Sequence, residues 1–268
     1  MSKRSASGQC KDPPSTPFRL NKAEKLPREK RRRRPMEVTI RSTAKFRDHY
    51  EISLGEKISL TTTVVRDQDY KLSEPVVREW VNGVRRMCGN KKRNAQQILV
   101  GLSASHSIGY ANGYLERKGS NKENSPYRLL QLCVGNHCLL FGLFTYGGPI
   151  PKVLKDFLYG GTRVVGLGID KMADKLERDY GFLIPQRVEL RKLAMEDGAC
   201  EGRDLSKCDL EAVARAVLEG KVDVARPSKM SWFKDGVGCE YSDDLIKYAS
   251  IEAITAQRIG TKPLGNRK

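Results

Sequence analysis

Alternation opens the ordered part of the chain. Glu37-Val38-Thr39-Ile40, Tyr50-Glu51-Ile52-Ser53-Leu54 and Ile58-Ser59-Leu60-Thr61-Thr62-Thr63-Val64-Val65 are β-branched and alternate in polarity, which predicts strands. Gly55-Glu56 between the last two predicts a hairpin. The period then changes. Ser73-Glu74-Pro75 predicts a helix start, with Val77, Trp80, Val81 and Val84 on one face. Gly89 to Asn94, with Lys91, Lys92 and Arg93, reads as a basic connection into the next strand. That strand is read over 97–103; Gln97 to Leu102 is apolar enough to be buried, and it ends in Ser103-Ala104-Ser105, whose two serines a period of two sets on one face.

Strands are next predicted over 128–134 and 137–144, joined as a hairpin, after a polar loop over 106–126. Pro149 and Pro151 precede a helix over Val153–Leu158, which Gly160-Gly161 stops. A strand over 163–168 runs directly into a helix carrying Ala173, Leu176 and Tyr180. A short segment, Val188-Glu189-Leu190, follows. A helix over 209–218 buries Leu210, Val213, Ala214 and Val217. The last helix runs from about Asp243 to Arg258, with Ser242 as its cap and Asp243 and Asp244 in its first turn. Hairpin strands followed by alternating strands and helices predict an α/β fold: a mixed sheet with helices on its faces. The domain is expected over 37–262, with a short tail at 263–268.

Charge adds a second region. Residues 1–36 hold twelve Lys/Arg and three Asp/Glu, more than half of the net +17 of the chain. This segment is rich in Ser, Pro, Lys and Arg and poor in apolar residues. It cannot bury enough surface to offset the entropy of ordering, so a disordered basic tail is expected. Within it Lys30, Arg31, Arg32, Arg33 and Arg34 read as a nuclear localisation signal, a nuclear address that leaves room for a cytoplasmic pool. The same run could serve as a phosphate-binding arm. The rest of the chain is also basic, which favours a polyanionic partner over a simple solubility role. No apolar run is long enough to span a bilayer, so no membrane association is expected. Seven cysteines without CxxC pairing, and no secretory signal, suggest free thiols in a reducing compartment. Cys133 and Cys138 flank a strand turn and are read as packed strand residues rather than metal ligands.

Taken in order, Val100-Gly101-Leu102-Ser103-Ala104-Ser105, Gly166-Leu167-Gly168-Ile169-Asp170-Lys171-Met172-Ala173-Asp174-Lys175-Leu176 and Tyr248-Ala249-Ser250-Ile251-Glu252 resemble the 3′-5′ exonuclease domain of the Werner syndrome-like exonucleases, in its plant form. Ser231-Trp232 resembles a serine-tryptophan segment ahead of that family's last helix. The resemblance covers roughly residues 50–260. It implies a ribonuclease H-like fold and hydrolysis of 3′-terminal nucleotides by two Mg²⁺ or Mn²⁺ ions held by four carboxylates.

Position by position, the implied Asp-x-Glu falls on Ser103 and Ser105, and the implied aspartate of the second motif falls on Met172. Asp170 and Asp174 stand two residues to either side, turned away by about 200° on a helix. The Tyr-x-x-x-Asp of the last motif is matched by Tyr248 and Glu252, one helical turn apart. Glu252 is thus the one metal-ligand position that keeps a carboxylate. No bound metal is expected, and the implied function is a nucleic-acid-binding pseudo-exonuclease. Two alternatives stand beside it: an active exonuclease using Tyr248, Glu252 and displaced acids, and a structural partner, in a homo-oligomer or with active homologues. His106, beside the altered motif, is read as a solvated loop residue rather than a ligand.

Overall fold

The computed structural model describes residues 37–42, 48–55, 58–66, 70–89, 97–106, 126–143, 150–196, 204–218, 233 and 240–262. The basic tail with Lys30–Arg34, the Lys91-Lys92-Arg93 connection, Ser231-Trp232, most of the polar loop and the segment 263–268 lie outside these residues.

The predicted N-terminal strands form as read. β1 (Val38–Ser42), β2 (His49–Leu54) and β3 (Ile58–Val65) make an antiparallel meander. α1 (Tyr70–Gly89) starts ahead of the expected position, so Pro75 lies inside it rather than at its first turn. Val77, Trp80, Val81 and Val84 are buried, as their spacing requires. β4 (Ile98–His106), β5 (Tyr127–Val134) and β6 (His137–Gly142) follow, then α2 (Lys152–Tyr159), β7 (Thr162–Gly166) and α3 (Ile169–Tyr180). The Val188 segment splits in two: β8 (Arg187–Glu189) is a strand, and Leu190 begins a helix, α4 (Leu190–Glu196). α5 (Leu210–Leu218) and α6 (Asp243–Thr261) complete the chain.

All eight strands share one sheet in the order β1-β2-β3-β6-β5-β4-β7-β8. β4 pairs antiparallel with β5 and parallel with β7, β5 pairs antiparallel with β6, and β7 pairs parallel with β8. Counted from β4, the five strands β6-β5-β4-β7-β8 stand in the order 3-2-1-4-5 with the second strand reversed. This is the ribonuclease H-like mixed sheet that the resemblance implies. The carboxyl ends of β3, β4, β6 and β7 therefore share one edge of the sheet.

Strand parity divides the core into layers. Val100 and Leu102 of β4 and Leu130 and Leu132 of β5 face α1, α2 and α3, in a cluster with Trp80, Phe157 and Leu176. Leu129 and Cys133 of β5, with Leu60 and Val64 of β3, face α6 through Leu245, Ile246, Ala249 and Ile254. A smaller cluster joins Val165, Leu190, Val213 and Ile259. No helix among the described residues is long and apolar enough to cross a membrane.

Candidate functional site

β4 does not end at the serines. It runs on to His106, with Ser103 opposite Gln131 and Ser105 opposite Leu129. The sequence predicts a strand that ends in the serines; pairing with β5 carries the ladder on to His106. Alternation puts Leu99, Gly101, Ser103 and Ser105 on the α6 face.

α6 lies close against that face. A β-carbon at Gly101 would meet the Ala253 carbonyl and come within 2.6 Å of Gln257 Cβ. One at Gly260 would come within 3.3 Å of Leu99 Cδ2. Moving from Leu99 to Gly101 along β4 thus moves toward the amino end of α6, so helix and strand run in opposite senses. Two strand residues advance about 6.6 Å and four helix residues about 6 Å. The next step from Gly101 therefore brings the turn of Tyr248 and Glu252 over the Ser103–Ser105 end. Ser242 begins this helix as expected, its Oγ accepting from the Leu245 N–H at 3.1 Å. Tyr248 and Glu252 are both half-buried, and Tyr248 packs against the α6-side cluster.

A residue missed in the sequence completes this face. Gln131 is 1% exposed, and its Nε2 donates to Ser105 Oγ at 2.6 Å. Its Oε1 is buried with no hydrogen-bonding partner. The signal was present: Gln131 is the one uncharged polar residue inside the strand Leu129–Val134. Buried acceptors are normally satisfied, so this one marks a polar position inside an apolar layer.

Met172 lies elsewhere. It is 8% exposed and belongs to the apolar cluster of the α1–α3 layer, while the serines face the other layer. Asp170 and Asp174, on the opposite, exposed face of α3, both pair with Arg187, at 3.3 Å and 2.7 Å. A divalent ion of the Mg²⁺ or Mn²⁺ class needs several anionic oxygens. The assembled face presents two serine hydroxyls, a glutamine, a tyrosine and one glutamate, so it does not fit a pair of such ions. Among the described residues no three His, Cys, Asp or Glu side chains are grouped to hold a metal.

His106 is not a loop residue. It pairs with Tyr127 at the end of β4, the rings 4.3 Å apart between centroids and tilted by 32°. Cys133 and Cys138 are facing strand residues, buried, with their sulfurs 2.9 Å apart as thiols. Burial and the Cys133 neighbour push the Cys138 thiol well up, which suits packing rather than reactivity.

No protein-family model matches the chain. Over 138 residues it is 31% identical to mouse exonuclease 3′-5′ domain-containing protein 2; the match takes in 48% of this chain and 20% of that protein. The chain thus spans about a fifth of the curated relative's length. Among solved structures, the EXD2 exonuclease domain soaked in Mn is 21% identical, with 74% of this chain and 86% of that chain covered and a TM-score of 0.35. The same domain soaked in Mg and GMP is 22% identical, with 74% and 85% covered and a TM-score of 0.34. By sequence, then, about half of this chain is related to a 3′-5′ exonuclease domain-containing protein.

Proposed function

We propose that this protein binds nucleic acid through a 3′-5′ exonuclease-type domain that has lost the two-metal reaction. The observation that carries this reading is the charge of the α6-side face. Ser103, Ser105 and Gln131 leave Glu252 as the single carboxylate among the motif positions, and Met172 is packed into the opposite layer. Two dications beside a phosphodiester need their charge offset by ligand oxygens, and one glutamate does not supply it. The relationship to a 3′-5′ exonuclease domain-containing protein supports nucleic acid as the partner, and so does a net charge of +17. The plant Werner-like assignment belongs to the same proposal. In this reading Lys30–Arg34 gives a nuclear location, and Lys91, Lys92 and Arg93 add phosphate contacts.

Purified protein incubated with labelled single-stranded RNA and DNA, in Mg²⁺, Mn²⁺ or chelator, tests this. Retention without shortening of the strand, equal in all three conditions, is the expected result. Shortening from the 3′ end that needs Mn²⁺ and disappears in Glu252→Ala would establish the active alternative instead. That alternative draws on the relative's name, but its displaced acids Asp170 and Asp174 are engaged by Arg187.

A further inference from the structure

The last residue of β4 breaks the ladder. Ser105 pairs with Leu129, but His106 pairs with Tyr127, so Arg128 is an extra residue on β5. Such a bulge bends the strand and re-aims the side chains beside it. A regular ladder would have set Arg128 opposite His106; the bulge sets an aromatic ring there instead. Tyr127 is then fixed from the α3 side. Its carbonyl accepts the Tyr180 hydroxyl, and Lys175 Nζ stands 5.7 Å from its ring centroid. Lys175 is itself held by Asp179 at 3.0 Å. The ammonium and the His106 ring both lie against the Tyr127 ring.

His106 stacks on Tyr127 and is half-buried. Tyr127 covers one face of its ring. Its Nδ1 lies 3.3 Å from the Pro126 carbonyl, which can only accept, so that nitrogen carries the hydrogen. In the neutral ring Nε2 is then an acceptor. Ser105, one residue before it, faces α6, so His106 points to the other face of the sheet, toward α3.

We propose that His106, backed by Tyr127 and Lys175, is a stacking shelf for an unpaired nucleobase of single-stranded nucleic acid. The inference rests on the nucleic-acid reading above and names what the protein recognises beyond phosphate. A ring already held by a tyrosine and a cation loses little freedom when a base stacks on it, and every base offers a π-face, so recognition is tolerant of sequence. Nε2 adds an acceptor for an N–H or O–H of the same nucleotide.

The test uses the full chain in chelator and a short fluorescein-labelled oligonucleotide, with an equal strand whose 3′-terminal nucleotides are abasic. Fluorescence anisotropy should show the intact strand bound more tightly by about 5- to 150-fold, the usual worth of one stacked base. His106→Ala should bring the intact strand down to the abasic one, and His106→Phe should restore most of the difference. His106→Gln, which keeps an edge acceptor without an aromatic face, should behave as alanine. Equal binding of both strands by the wild type overturns the shelf while leaving nucleic-acid binding intact, as does equal weakening of both by His106→Ala. Binding of neither strand at low salt overturns the shelf together with the nucleic-acid reading.

Discussion

A β-carbon at position 101 has nowhere to go. It would meet the backbone of α6 at Ala253 and Gln257, and backbone cannot swing aside as a side-chain tip can. Gly101→Ala should therefore push α6 from the sheet and cost about 1–3 kcal/mol, the range for overpacking a core. Urea unfolding measures it; a variant as stable as wild type would mean that α6 rides higher on β4 than described. A second residue-scale expectation concerns Asp179. Burial opposes its charge, but hydrogen bonds and charge from Lys175 and Arg178 hold its carboxyl below the usual range. A depressed carboxyl contributes stability above its unfolded pKa, about 3.9, and loses it as pH falls through the lower folded value. Asp179→Asn should thus be less stable than wild type at neutral pH, with the gap closing below about pH 4. Denaturant midpoints taken across that range decide it, and a gap that stays constant would assign the loss to packing.

Elements show which parts of the fold the sequence makes legible. The alternating strands of the meander, the Val77–Trp80–Val81–Val84 face of α1 and the capped start of α6 are local patterns, and each is found where read. α4 was not legible because it is seven residues long, too few for a period to stand out. The start of α1 was set at Ser73 because Pro75 suits a first helical turn; the helix instead begins at Tyr70 and tolerates the missing N–H. The serines of β4 read as a strand end since only apolar residues signal burial, whereas pairing with β5 is a long-range fact. The candidate site is legible in part: Ser103, Ser105, Tyr248 and Glu252 are what the resemblance to the Werner syndrome-like exonucleases implies, and each motif lies within a single element. The layer that holds Met172, the orphan acceptor of Gln131 and the His106–Tyr127 pairing come from packing between elements. At this scale Ser242 is the test. Its Oγ satisfies the Leu245 N–H at the start of the helix that carries Tyr248 and Glu252. Ser242→Ala should cost about 1 kcal/mol. Hydrogen exchange should quicken in the first turns of α6 and leave its Gly260 end protected; uniform quickening would mean that the helix opens as one unit.

For the whole molecule, charge decides how far the folded domain and the tail act together. Of the net +17, the first 36 residues hold twelve basic and three acidic side chains, and the rest of the chain is basic as well. If both parts touch one strand, each phosphate they neutralise releases counterions, and log K falls against log[salt] with a slope of about −0.7 per contact on single strands. Replacing Arg31, Arg32, Arg33 and Arg34 with glutamine should then make the slope shallower by up to about 3. The preference for an intact over an abasic strand should stay as it was, since stacking on His106 carries no net charge change. Anisotropy titrations over a range of salt separate the two quantities in one experiment. An unchanged slope would mean that the arginines meet no phosphate, which leaves them to localisation alone. A slope that shifts together with the base preference would mean that the tail, rather than the end of β4, reads the base.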